Sequence, residues 1–266
     1  MTETLNAVKK ELFDVYVYRY VIFSYVIGFL KLRYRRSYLG LIWTALAPSI
    51  HFIIIGLMFN LILRDSRPDF FAYYFSGAIY FSFFSGTCNR AVSAILANEH
   101  FIKKIYVPKL VYVLQCTGVE LINFLLTSLI LIPIGLFLGK LQLHLFTPAA
   151  FISIFLLFIF LVGLSTFLSI LTVYFRDFLH ILPAALQALF FISPILYDKS
   201  IIPEKHQWIF AWNPLNYYLD LFRTPLLTGT FCHLQTYLLC ISLSLIMFIF
   251  GLLFLVRFDN KIVFRL

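Results

Sequence analysis

A chain of 266 residues that is 62% hydrophobic and only 12% charged, with a mean hydropathy of +0.92, has nowhere to hide its apolar surface in a water-soluble fold, where roughly half the residues are apolar and a quarter charged. That balance excludes a soluble enzyme or binding domain and puts the chain in a membrane. The net charge of +9 is spread along the chain instead of gathered on one face, so it reads as topological bias and excludes nucleic acid as a partner.

The first dozen residues are polar, carry Lys9, Lys10 and Glu11, and offer no small-residue cleavage site, so no secretory signal is expected and insertion falls to the spans themselves. Tyr20 to Leu30 is a mostly apolar run of eleven residues, too short to cross ~30 Å of hydrocarbon as a helix. Flanked by cations on both sides, it fits an amphipathic helix lying in the inner interface; the alternative, an extra span, would put one of the two basic clusters outside. Lys31, Arg33, Arg35 and Arg36 then give way to Leu39, Leu41, Ile42 and Trp43. Cations at the mouth of an apolar run mark the cytoplasmic side, and Tyr34, Tyr38 and Trp43 suit the headgroup layer.

Span one is expected from about Tyr38 to Leu63, with Pro48 and His51 inside it, and the charge-balanced Arg64 to Asp69 as an outer connector. Span two covers about Phe70 to Ala97 and is rich in aromatic and small residues, which allow close helix approach. The segment Asn98 to Lys109 holds three lysines and one acid among Phe101, Ile102, Ile105 and Tyr106, the mixture of a short inner amphipathic helix. Span three, about Val107 to Leu138, carries Glu120 and Asn123. At ~1.5 Å per residue, Glu120 and Arg90 of span two lie within ~6 Å of each other in depth. A buried ionisable residue needs a partner, so an intramembrane Arg90–Glu120 ion pair is expected.

Gly139 to Thr147 forms an outer turn, and span four runs from about Pro148 to Tyr174. Arg176 and Asp177 follow in a very short inner loop, where they either cap the next helix or transmit motion. Span five is expected from about Leu179 to Tyr197. From Asp198 to Thr230 the chain is too interrupted by Pro203, Pro214 and Pro225 to be one span and too aromatic for a free loop. Two short re-entrant or interfacial helices broken at Asn213–Pro214 satisfy both facts. Span six, about Leu234 to Val256, leads to a basic inner tail of Arg257, Lys261 and Arg265.

The expectation is therefore an all-α integral membrane protein of one domain, with residues 1–36 cytoplasmic or interfacial and 37–266 forming six spans. Of the 21 Lys and Arg residues, fourteen fall in segments assigned inside, six outside, and Arg90 within the bilayer, as the positive-inside rule requires. Both termini are thus placed inside. No G-x-x-x-x-G-K-[ST] occurs to hold nucleotide phosphates. The six His are scattered, and Cys88, Cys116, Cys232 and Cys240 lack CxxC spacing. No catalysis, metal or obligatory disulfide is expected.

Four blocks carry a resemblance: R-Y-R-R-S-Y-L-G-L-I-W-x-x-L-x-P from Arg33, N-E-H-F-I-K-K-I-Y-V-P from Asn98, V-Y-F-R-D with the later Ser193-Pro194-Ile195-Leu196-Tyr197, and N-P-L-x-x-x-x-x-x-x-R from Asn213 to Arg223. Together they resemble permease subunits of type-2 ABC exporters for bacterial surface polysaccharides, meaning O-antigen, capsule or teichoic acid chains. The resemblance implies a non-enzymatic subunit of a bacterial inner-membrane exporter, working as a homodimer with two ATP-binding cassette subunits. These partners would bind ATP and Mg, leaving this chain without a cofactor, and the substrate would be a lipid-linked polysaccharide among membrane lipids. It assigns Glu99, His100, Lys103 and Lys104 to ATPase coupling, with Arg176 and Asp177 as further candidates. Trp208, Trp212, Asn213, Pro214 and Arg223 fall in an outer gate. Spans one, two and five would line the path, with Tyr38, Tyr80, Phe84, Phe191 and Tyr197 as aromatic contacts, since ring faces stack on the apolar faces of sugars. A type-2 exporter of a drug or lipid shares this architecture. A multispan membrane acyltransferase is the reading from another class, and a His-centred cluster at one membrane face would mark it.

Overall fold

The computed structural model describes residues 2–33, 35, 37–40, 42–62, 70–137 and 147–266. The connector at 64–69, almost all of the outer turn at 139–147, and Tyr34, Arg36 and Leu41 of the basic boundary lie outside the described residues. Every regular element among the described residues is helical: α1 (Thr2–Val17), α2 (Arg19–Arg33), α3 (Ile42–Ile62), α4 (Phe70–Ala94), α5 (Glu99–Lys104), α6 (Lys109–Phe137), α7 (Ala150–Tyr174), α8 (Phe178–Ile192), α9 (Trp208–Trp212), α10 (Pro214–Leu227) and α11 (Leu234–Arg265). Four are long and apolar enough to cross a membrane, over Ile42–Phe59, Lys109–Leu136, Ala150–Tyr174 and Leu234–Asp259. The chain is therefore a multi-pass membrane protein.

The N-terminal region differs from the single interfacial helix expected. It forms two helices meeting at 60°. Val26 and Leu30 of α2 are buried against Val119 of α6, so α2 packs along the helical body and does not rest on lipid alone. Helix α3 continues through Pro48 without a break.

Helix α4 is the centre of the molecule. Its 25 residues extend ~37 Å, and it packs against α3, α6, α7, α8 and α10. Nineteen of its residues are buried, a composition that answers to neighbouring helices and not to lipid. The tightest helix pair is α7 with α11, where two glycines remove the barrier to approach: a Cβ on Gly163 would strike the Met247 carbonyl and come within 2.6 Å of Phe248 Cα, and one on Gly251 would strike the backbone of Gly163.

Two boundaries depart from expectation. Helix α11 runs nine residues past Val256 to Arg265, because Ile262 is fully buried in a cluster that includes Val8, Val15 and Leu110, and Asp259 pairs with Lys109 at the start of α6. The basic tail is thus helical. Span five stops at Ile192, since Ser193 turns extended ahead of Pro194, and the S-P-I-L-Y segment folds as a turn. Between residues 198 and 230, helices α9 and α10 do break at Asn213–Pro214. Helix α10 packs into the helical body: nine of its fourteen residues are buried.

Candidate functional site: a groove between α3, α4 and α8, and its flanking ends

The helical period of α4 divides its side chains between two surroundings. Tyr80, fully enclosed, donates to Ser153 Oγ (2.6 Å) on α7, which donates on to the Tyr218 carbonyl (2.9 Å) of α10. Tyr218 in turn donates to the Cys240 carbonyl (3.1 Å) and sits 2.7 Å from Ser244 Oγ, which donates to the Leu156 carbonyl (2.8 Å). This buried chain ties α4, α7, α10 and α11 together.

On the other side, Tyr74, Phe81, Ser85 and Asn89 face an open groove of about 410 Å³, completed by His51, Phe52 and Ile55 of α3 and Pro183, Leu186, Gln187, Phe190 and Phe191 of α8. Rings fix the register of its walls: Phe81 meets Phe190 edge-on at 5.2 Å, and Phe52 meets Tyr74 at 6.5 Å. Of the aromatics expected on the path, Phe191 lines this groove. Tyr38 is fully exposed between α2 and α3. Tyr197 folds back, its hydroxyl 2.9 Å from the Phe191 carbonyl. Tyr80 and Phe84 are both buried in the helix packing, Phe84 with its ring 6.1 Å from that of Phe81.

One end of the groove is knit around the turn after α8. Asn213 caps α10, accepting from the Leu215 amide (3.1 Å) and donating to Ser193 Oγ (2.9 Å), while Pro214 occupies the first helical turn. Arg223 is buried and donates to the carbonyls of Pro194 (2.6 Å) and Tyr73 (3.1 Å), its guanidinium 3.8 Å above the Tyr73 ring. Gly77 makes this possible, because a Cβ there would strike the guanidinium. Two sequence blocks that lie apart, S-P-I-L-Y and N-P-L…R, therefore meet here. Trp208 and Trp212 are exposed beside them. Tyr73, whose hydroxyl lies 2.8 Å from the Pro194 carbonyl and 3.0 Å from that of Tyr197, was not legible as part of this node. Its only sequence signal is its place one turn before Gly77.

At the other end, Arg90 pairs with Glu120. Asn123 donates to the second carboxylate oxygen (3.1 Å), and the Phe29 ring of α2 covers the guanidinium at 4.7 Å. Helix α5 is only six residues long. Glu99 accepts from Lys103 (2.6 Å), and that bond, with His100 and Arg176 adding positive field, holds its carboxyl below the usual range. Arg176 thus belongs to the same end as α5. Lys103, Lys104 and His100 are exposed, as are Arg176 and Asp177. Asp177 stands at the start of α8 but its side chain makes no capping bond. The turn is held by backbone instead, with the His180 amide donating to the Asp177 carbonyl (2.9 Å).

A family model described as ABC-2 type transporter matches residues 20–227. The O-antigen export system permease protein RfbA of Myxococcus xanthus is 30% identical over 207 residues, covering 76% of this chain and 78% of that protein. A Klebsiella pneumoniae protein of the same name is 28% identical over 208 residues, with 76% and 78% covered. The polysialic acid transport protein KpsM of Escherichia coli is 27% identical over 206 residues, with 75% and 78% covered.

Proposed function

The chain belongs to the ABC-2 type transporter family, and on that premise we propose that it is the membrane subunit of an ATP-driven exporter that passes a lipid-linked surface polysaccharide outward across the bacterial inner membrane. The observation that carries this reading is the similarity to polysaccharide-export permeases over three quarters of the chain. The groove walled by α3, α4 and α8 supports it. Exposed Asn89, Gln187 and His51 on membrane helices are costly against lipid, and a second copy facing the groove would enclose them in a shared passage.

In this arrangement α3, α4, α6, α7, α8 and α11 are the six spans, with both termini inside. Two ATP-binding cassette subunits supply the energy, and α5 with the Arg176–Asp177 turn forms their docking end. Its exposed cations and short amphipathic helix offer a face that a soluble partner can push. The α9–α10 segment gates the outer mouth, and Arg223 acts there as a clamp on the turn after α8. The test is deletion of the gene followed by complementation. Loss of surface polysaccharide with lipid-linked polymer accumulating inside, reversed by the wild-type chain, is expected. Normal surface polysaccharide in the deletion strain contradicts the reading.

A further inference from the structure

The lining of the α3–α4–α8 groove has an order along its length that identifies what it grips. Helices α4 and α8 run antiparallel, so Asn89, Ser85 and Phe81 on one wall succeed each other in the outward direction while Pro183, Gln187 and Phe190 do so on the other. The Phe81–Phe190 contact at 5.2 Å locks the two sequences together. Inward of it lies a polar step of Ser85, Asn89 and Gln187. At and beyond it lies an aromatic collar of Phe81, Phe190 and Phe191, with Phe190 and Phe191 edge-on at 5.5 Å.

Asn89 and Gln187 are exposed, and among the described residues neither makes a side-chain hydrogen bond. Two amides left open on apolar helices need partners that lipid cannot give. No Lys, Arg, Asp or Glu is among the described residues lining the groove. An anionic polymer passing here would lose water with only the His51 imidazole as a basic group to meet it, whereas sugar hydroxyls can exchange bonds with the amides while the apolar faces of the sugar rings stack on the collar.

Resting on the function proposed above, we propose that this groove grips an uncharged, hydroxyl-rich glycan, with Asn89, Gln187 and Ser85 as its hydrogen-bonding step and Phe81, Phe190 and Phe191 as the stacking collar. The polymer handled by this chain is then neutral along its repeat, with no uronic acid, sialic acid or phosphodiester.

The experiment complements the deletion strain with Asn89→Leu, Gln187→Leu, Gln187→Asn and Ser85→Trp, measuring surface polymer, its composition, and the amount of each variant in the membrane. Asn89→Leu and Gln187→Leu are expected to lower export by about fivefold or more, the size of one lost neutral hydrogen bond, with chain levels unchanged. Gln187→Asn, which keeps the amide, retains most export, an outcome that a purely structural role for position 187 does not predict. Ser85→Trp blocks the groove and abolishes export. Full export by both leucine variants while Ser85→Trp still blocks would overturn the hydrogen-bonding step and leave the passage intact, and an acidic polymer would overturn the neutral assignment. Normal export by Ser85→Trp would remove the passage itself.

Discussion

At the scale of single residues, the informative positions are polar groups held against the apolar grain. The sequence placed Arg90 and Glu120 near one depth by counting residues, and the structure pairs them under the Phe29 ring. It could not supply Phe29, since that contact depends on how α2 is rotated against α4. Reversing either charge alone leaves two like charges facing each other in a half-buried site. We expect Arg90→Glu and Glu120→Arg each to cut the chain's membrane level severalfold and the double reversal to recover much of it, as read by immunoblot of membranes; no recovery would dissolve the pair's role.

Glu11 is a second such position, and nothing in the sequence marked it. Burial, reinforced by Asp259 and Asp14 and opposed by Lys109 and Lys10, pushes its carboxyl up to about 7. Packing of α1 therefore favours the protonated acid. That contribution is complete below the ordinary value of 4.5 and is lost as the pH rises through about 7. Amide exchange in α1 is expected to speed up across this interval, and Glu11→Gln to flatten the dependence. A Glu11→Gln profile identical to wild type would show that another group controls docking.

At the scale of elements, the lesson lies in α4. Apolar runs announced α3, α6, α7 and α11, whereas α4 with its Tyr, Ser and Gly residues is poorly apolar because protein surrounds it. Its length was legible from the flanking charges. Its division into a buried side with Tyr80 and a groove side with Ser85 and Asn89 was not, because aromatic and small residues alternate on both. The end of α11 was hidden for a related reason: Arg257 and Lys261 look like an end, yet Ile262 is the residue that packs. Close approach of α7 and α11 depends on Gly163 and Gly251. Gly163→Val forces their backbones apart and is expected to cost about 1–3 kcal/mol or more of packing, seen as loss of a monodisperse species in detergent; an undisturbed elution profile and melting temperature would contradict the close contact.

At the scale of the whole molecule, the four sequence blocks carried the resemblance to the family that the match over residues 20–227 shows, and the fold brings two of them together. Asn213 and Arg223 hold the turn that Ser193 and Pro194 make, so this end of the molecule is one mechanical unit built from separated stretches. What the sequence lacked was the groove, which exists only once α8 lies across α3 and α4. The central claim is that two copies of the chain enclose this groove as a polysaccharide passage. It is tested most directly by placing a photoreactive benzoylphenylalanine at Phe191, in cells making the polymer and the ATP-binding partner, and identifying what it captures. The account predicts adducts that carry glycan, along with a dimer of the chain. Adducts to phospholipid alone, with neither glycan nor a second copy, would contradict it.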